Sequence, residues 1–219
     1  MKVLITAGPT REPIDPVRFL SNRSSGKMGY ALAAAALAQG HEVVLISGPV
    51  HLPPPTGATR FQVETAREMF EAVQREIPSC DIALFAAAVA DYRPAAPAAQ
   101  KIKKHDATLT LELERTEDIL GSARSLFGFT GYLVGFAAET ERLIEHAQSK
   151  LQRKDCDLII ANDVSQPGIG FDTSENAVTL CFASGETQTL PQQSKQTLAT
   201  VLITEIASRA LSPHPTPHV

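Results

Sequence analysis

The sequence predicts an α/β protein with a Rossmann-like three-layer α/β/α arrangement, in which a mainly parallel sheet is extended by an antiparallel strand or hairpin. Three observations carry that reading. Short apolar runs alternate with helix-period stretches along most of the chain, as βαβ units require. The 219 residues, 43% hydrophobic and 20% charged, suffice for one substantial core and are most simply one domain, residues 1–211. The first apolar run ends in a glycine turn that leads through a polar loop into an Ala-rich helix, the layout of a unit that binds phosphate at a helix N-terminus.

In chain order, Val3–Thr6, Glu42–Ser47, Asp81–Ala87, Tyr132–Phe136 and Asp157–Ala161 read as strands. Between them Gly26–Gln39, Ala66–Glu76 and Glu139–Lys154 read as helices. Two segments depart from the alternation. In Thr108–Glu114 the leucines at 109, 111 and 113 alternate with Thr and Glu, as in a strand with one wet face. Asn176–Cys181 and its continuation to Leu190 flank the turn Ser184-Gly185-Glu186, as in a hairpin. Either segment suits a dimer interface, because a half-apolar edge strand seeks a partner. A final amphipathic helix, Lys195–Ala210, is expected to pack on the sheet. The tail 212–219 is expected to be unpacked, and its Pro-separated His214 and His218 have no fixed geometry for a metal.

Composition excludes several function classes. A net charge of −4 without a long Lys/Arg block argues against a nucleic-acid partner, which needs a concentrated positive surface. Cys80, Cys156 and Cys181 are odd in number and lack metal-ligand spacing, so they read as buried reduced thiols of a cytoplasmic protein. The apolar run at Met1–Ile5 is too short for a secretion signal. Tyr30–Ala38, the longest apolar tract, is far below the roughly 20 residues of a membrane span. The expectation is a cytoplasmic protein with no nucleic-acid or membrane partner.

The opening motif, Val3 to Thr10 followed by Ser21-Asn22-Arg23-Ser24-Ser25-Gly26-Lys27-Met28-Gly29, has two look-alikes that fail. Ser21 stands where a Walker A loop has Gly, and Met28 replaces the hydroxyl that would ligate Mg²⁺. No G-x-G-x-x-G joins the first strand to its helix, and the second strand ends in Ser47-Gly48 without a ribose-binding carboxylate, which sets a nicotinamide cofactor aside. What remains is a loop of small residues at a helix N-terminus. It either binds an anion through free amides and the helix dipole or has Ser24 or Ser25 as a plain N-cap.

Three further constellations fall near strand ends. Asp91, in Ala86-Ala87-Ala88-Val89-Ala90-Asp91-Tyr92-Arg93-Pro94, either holds Mg²⁺ against a triphosphate or caps a turn. Lys101-Ile102-Lys103-Lys104 follows an Ala/Pro-rich loop; it either closes over phosphates or is a solvated charge run. Phe136 ends a strand and either stacks on a base or fills core. Lys150 and Lys154, one turn apart on a helix, either reach one polyphosphate or are simply solvated. Asn162-Asp163-Val164-Ser165 adds a polar loop at the same rim.

Taken together these residues resemble the phosphopantothenate–cysteine ligase family of coenzyme A biosynthesis, which in many bacteria is fused behind a flavin-containing decarboxylase. The similarity runs through Ile5–Thr10, Glu12–Arg18, Ser21–Gly29, Ala87–Pro94, Lys101–Lys104, Val134–Thr140, and Asn162–Ser165 leading to Gly170-Phe171 and Asn176. It covers nearly the whole chain. The resemblance implies that the carboxylate of 4'-phosphopantothenate attacks the α-phosphate of a nucleoside triphosphate, CTP in the typical bacterial form. Pyrophosphate leaves, and the amine of L-cysteine then displaces CMP from the acyl-cytidylate.

By the same resemblance Asn22 contacts the acyl intermediate, Arg18 helps bind phosphopantothenate, and Lys101 stabilises charge on the α-phosphate. Asp91 serves the nucleotide and its Mg²⁺. The nucleotide contacts are completed by Gly8, Ser24, Ser25 and Gly26 of the opening loop, by Ala87, Phe136, Lys150 and Lys154, and by Asp118 and Ile119. In Arg115-Thr116-Glu117-Asp118-Ile119-Leu120 the family commonly has Pro where this chain has Glu117, which adds a charge near the triphosphate. The family implies a homodimer in which a loop of one subunit completes its neighbour's site. No flavin is expected, since no flavin-binding segment precedes the first strand. The alternative from another class is a nucleotide-binding or sensing protein that kept the fold without the ligase chemistry.

Overall fold

The structure is a computed structural model that describes residues 1–104, 107–139, 141–163 and 175–211. Six parallel strands form most of its main sheet: β1 (Lys2–Ala7), β4 (Glu42–Ser47), β5 (Thr59–Gln62), β6 (Ile82–Phe85), β9 (Tyr132–Glu139) and β10 (Leu158–Asp163). The hairpin β11 (Glu175–Phe182) and β12 (Thr187–Ser194) adds to β10 antiparallel, giving the order β12-β11-β10-β9-β6-β1-β4-β5. Two small ribbons stand apart from the sheet: β2 (Arg11–Pro13) with β3 (Phe19–Ser21), and β7 (Tyr92–Pro94) with β8 (Leu113–Arg115).

Period-2 alternation divides the core between the two faces of the sheet. Val3, Ile5, Leu45, Leu84, Val134 and Ile160 point to the side covered by α1 (Lys27–Ala38) and α5 (Lys195–Ala210). Leu4, Val44, Ile46, Ala83, Leu133 and Ile159 point to the side covered by α2 (Ala66–Glu76), α3 (Ile119–Ser125) and α4 (Leu143–Lys154). Burial on both faces is why the parallel strands read as continuous apolar runs. Each fully buried Leu or Ile contributes about 1.5–3 kcal/mol.

Helix starts explain how the layers meet. α2 is capped by Thr65, whose hydroxyl accepts from the Glu68 amide at 3.1 Å, and the buried Glu12 carboxylate accepts from the Ala66 amide at 2.9 Å. A carboxylate at a helix N-terminus is favoured by the dipole. α5 is capped by Ser194, which accepts from the Thr197 amide at 3.1 Å. α1 lacks a side-chain cap and begins after Gly26, whose φ of 74° suits glycine. One turn on, a Cβ at Gly29 would stand 2.5 Å from the Ala7 Cβ, so only glycine lets α1 lie this close to the end of β1.

The α/β/α layering, the antiparallel extension and the final helix agree with the sequence reading. Several boundaries differ. β6 stops at Phe85, short of Ala87, whereas β9 runs on to Glu139 and α4 begins only at Leu143. The strand expected over Thr108–Glu114 shrinks to β8, preceded by a single bond from the Ala95 amide to the Glu112 carbonyl at 3.0 Å. Leu109 and Leu113 are 54% and 43% exposed; alternation makes a strand only where another strand completes the ladder, and residues 108–111 meet none among the described residues. β2, β3, β5, β7 and α3 carry no pattern long enough to announce them. The tail 212–219, with His214 and His218, lies outside the described residues, as do Val164, Ser165, Gly170 and Phe171.

All three cysteines are buried and free. Burial pushes the Cys156 thiol up to about 12 and raises those of Cys80 and Cys181, which keeps them as protonated core groups. No helix among the described residues is long and apolar enough to cross a membrane.

Candidate functional site

Counted among themselves, the parallel strands run 3-2-1-4-5-6, so the strand order reverses between β1 and β6. Ligands of open α/β sheets bind outside the carboxyl ends of the strands at such a reversal. A cleft of about 1040 Å³ opens there, spanning the sheet edge from the start of α1 to α4 and the start of α5.

Its first wall is hung on backbone hydrogen bonds. The Ala86 amide donates to the Thr6 carbonyl at 3.2 Å, Ala87 to the Thr6 hydroxyl at 3.2 Å, and Ala88 to the Gly8 carbonyl at 2.9 Å. Ala90 donates to the Thr10 hydroxyl at 2.9 Å. Thr6 and Thr10 are both buried, so these bonds hold the Ala86–Asp91 segment against the loop after β1. Asn22 joins them, its amide nitrogen donating to the Val89 carbonyl at 2.8 Å. Asn22, Ser24, Gly26, Ala87 and the exposed Asp91 all line the cleft.

The second wall is held by charges. Thr116 closes the junction, its hydroxyl donating to the Ala90 carbonyl at 2.6 Å and its amide to the Asp91 carbonyl at 3.0 Å. Asp118 caps α3 by accepting from the Gly121 amide at 3.0 Å and pairs with Lys154 of α4. Burial would raise the Asp118 carboxyl, but Lys154 and the Gly121 amide bring it below its ordinary value. Lys150 donates to the Phe136 carbonyl at 2.6 Å. Asp118, Ile119, Phe136, Lys150 and Lys154 line the cleft together with Arg153 and Arg115. The Glu117 carboxylate is shared between Arg67 and Arg93.

The floor holds residues to which the sequence reading gave no role. Asn162 and Asn176 are buried, line the cleft, and have side-chain oxygens with no hydrogen-bond partner among the described residues. Lys195, 4% exposed, lines the cleft from the first turn of α5. The asparagines sat in segments already singled out, but nothing in the pattern of α5 separated Lys195 from its neighbours.

Gly8, Ser25, Arg18 and Lys101 are not among the cleft-lining residues. Ser25 lines a smaller cavity of about 480 Å³ that shares Asn22 and Ser24 with the cleft. Arg18 is clamped by the buried Asp15, with Nη2 at 2.5 Å and Nε at 3.0 Å, and it donates to the Ile102 carbonyl at 3.1 Å. The Ile102 amide in turn donates to Asp15 at 3.1 Å. Arg18 first, then the Val17, Ile102 and Arg18 amides, hold the Asp15 carboxyl well below its usual range against the opposing effect of burial. The loop carrying Lys101 is thereby fixed to the β2–β3 ribbon. Among the described residues no group of three or more His, Cys, Asp or Glu could hold a metal by itself. Mg²⁺, which takes one or two carboxylates and completes its shell with phosphate and water, fits the exposed Asp91.

Residues 1–210 match the family described as "DNA/pantothenate metabolism flavoprotein C-terminal domain". The chain is 50% identical over 204 residues to the coenzyme A biosynthesis bifunctional protein CoaBC of Vibrio cholerae, covering 92% of this chain and 51% of that protein. Against CoaBC of Escherichia coli K12 the identity is 47% over 212 residues, covering 95% and 52%. The chain thus spans about half the length of the curated relatives it matches. The crystal structure of the C-terminal domain of a CoaBC superposes with a TM-score of 0.81 at 42% identity, covering 95% of this chain and 94% of that one.

Proposed function

The chain belongs to the DNA/pantothenate metabolism flavoprotein C-terminal domain family, and from that premise we propose that it joins 4'-phosphopantothenate to L-cysteine at the expense of CTP. The observation that carries this reading is the meeting of Asn22, Asp91, Lys150 and Lys154 in one cleft at the strand-order reversal. That combination supplies cations for a polyphosphate and a positioned amide for an acyl group.

In the first step a carboxylate oxygen of phosphopantothenate attacks the α-phosphorus, and the bond to pyrophosphate breaks. Lys150 and Lys154 exchange their internal partners for phosphate oxygens, which neutralises charge as it develops. Asp91 would hold Mg²⁺, which when bound would supply further charge neutralisation. In the second step the cysteine amine attacks the acyl carbon, the bond to CMP breaks, and the ammonium proton is released. Asn22, its rotamer fixed by the Val89 carbonyl, orients the acyl group for that attack. Catalysis here is positioning and charge balance, with no flavin involved.

Arg18 and Lys101 enter through a second copy of the chain. Both lie outside their own cleft, on loops tied together by Asp15. Val17 and Phe19 at the β2–β3 ribbon, and Leu109 and Leu113 in the segment through β8, are exposed, apolar side chains that a homodimer would cover. In that arrangement Arg18 binds phosphopantothenate and Lys101 stabilises the α-phosphate in the neighbour's cleft. A cytoplasmic setting, where these substrates occur, completes the proposal.

The test is pyrophosphate release with 4'-phosphopantothenate and Mg²⁺, comparing CTP with ATP, with and without cysteine. Release that depends on phosphopantothenate, with amide appearing only when cysteine is added, is expected. Nucleotide binding without release would favour the sensing alternative.

A further inference from the structure

Glu117 occupies the charged wall of the cleft, between Thr116, tied to Ala90 and Asp91, and Asp118, paired with Lys154. Its side chain is only 17% exposed. Two guanidinium groups from separate elements grip it. Arg67, in the first turn of α2, approaches through Nη1 at 3.1 Å, and Arg93 of β7 approaches both carboxylate oxygens through Nη1 at 3.2 Å. Each arginine has a second carboxylate: Glu71 at 2.7 Å from Arg67, and Glu114 at 2.8 Å from Arg93. Charges therefore alternate from Glu71 through Arg67, Glu117 and Arg93 to Glu114, linking α2, the cleft wall and the β7–β8 ribbon. Glu117 is the shared central anion. Its removal leaves Arg67 held by Glu71 and Arg93 held by Glu114, with no shared anion joining the two elements.

We infer that Glu117 is a positioning residue for the nucleotide: by holding Arg67 and Arg93 it fixes the Arg115–Asp118 wall, and with it the Asp118–Lys154 pair, where the ligand binds. This rests on the nucleotide reading of the cleft. In this role Glu117 acts through the wall and not by contact with substrate. Such a restraint is electrostatic, so added salt weakens it to the extent that its members are exposed. A proline ring would restrain the same backbone without charge.

The experiment measures CTP affinity by calorimetry, and kcat and KM for pyrophosphate release, for the wild type, Glu117→Gln and Glu117→Pro. Each is examined at about 0.05 M and about 0.5 M NaCl, either side of the physiological screening range. Glu117→Gln is expected to weaken CTP binding roughly tenfold at low salt, with kcat within about twofold of wild type, as loss of a charge-assisted contact outside the reacting atoms implies. Glu117→Pro is expected to recover most of that affinity and to lose less of it on addition of salt than the wild type does. A Glu117→Gln protein that binds CTP as tightly as the wild type, or more tightly, overturns the inference. So does a proline variant as weak as the glutamine one. Should the wild type itself bind neither CTP nor ATP, the nucleotide reading fails on its own. The wall restraint is then read from amide hydrogen exchange of residues 115–118, expected to be faster in Glu117→Gln, and an unchanged rate overturns it.

Discussion

The two walls of the cleft are built on different physics. The Ala86–Asp91 wall hangs from buried threonine hydroxyls and backbone carbonyls, none of which titrates. The Arg115–Ile119 wall and its facing helix α4 are held by Lys154–Asp118, by Lys150 on the Phe136 carbonyl, and by Glu117 between two arginines. The first wall is fixed before any ligand arrives. The second is made of charged groups that, on the proposed function, a polyphosphate would compete for, so it is expected to respond to ligand, salt and pH. On the proposed chemistry, a site that must place a carboxylate and an α-phosphate within reacting distance would gain from one rigid side. It would gain from a second side whose charges are rearranged when the ligand binds.

The largest effect that separates the two walls is expected at Asn22. Asn22→Asp replaces the nitrogen that donates to the Val89 carbonyl with an anionic oxygen, which cannot donate and repels that carbonyl. On the proposed chemistry, pyrophosphate release persists while amide formation falls by at least about a hundredfold, the loss typical of a missing positioned polar group in a reacting site. Accumulation of acyl-cytidylate in a single-turnover quench would show it. An unchanged rate of amide formation would remove Asn22 from the second step.

A smaller effect belongs to Thr10, whose buried hydroxyl receives the Ala90 amide at 2.9 Å. Thr10→Val keeps the shape but leaves that amide unsatisfied, at a cost of about 1–3 kcal/mol. Urea denaturation at low and high salt checks both halves of the comparison, because the loss should be the same at either ionic strength. A loss that vanishes in salt would place Thr10 in an electrostatic network and erase the distinction drawn here.

The rigid wall was legible in the sequence and the charged wall only in part. Thr6, Gly8 and Ala87 sit where apolar strands end in small residues, and Asn22 and Gly26 lie in the small-residue loop that leads into α1, so the strand–loop–helix pattern brought them to one edge. Lys150 and Lys154 were legible from helical spacing, but nothing in the sequence pairs them with the Phe136 carbonyl of β9 or with Asp118 at the start of the unannounced α3. α3 is a single short helix, and β5 is a polar edge strand of four residues, Thr59–Gln62. Thr108–Glu114 shows the converse error, a strand pattern whose missing partner leaves Leu109 in solvent. Lys195 was hidden because burial of a charged residue at the first turn of an amphipathic helix leaves no periodic trace. Arg67 and Arg93 are far from Glu117 in sequence, and only the fold brings them to it.

The smallest expected effect is the pH response of the charged wall. Asp118 is held below its ordinary value by Lys154 and the Gly121 amide against the opposing effect of burial. A carboxyl shifted down in the folded state contributes stability that is complete above the unfolded value, about 3.9, and is lost as the pH falls through the lowered folded value. Asp118→Asn keeps an acceptor for the Gly121 amide and removes only the charge. The wild type should therefore exceed the variant at neutral pH by no more than about 1 kcal/mol, because the Asp118 side chain is 55% exposed and its pair is screened. The difference should shrink below pH of about 4. Urea midpoints measured down that range distinguish the outcomes: a constant gap would mean that the Asp118 charge adds no titrating stability, and the charged wall would then owe its pH response to Glu117.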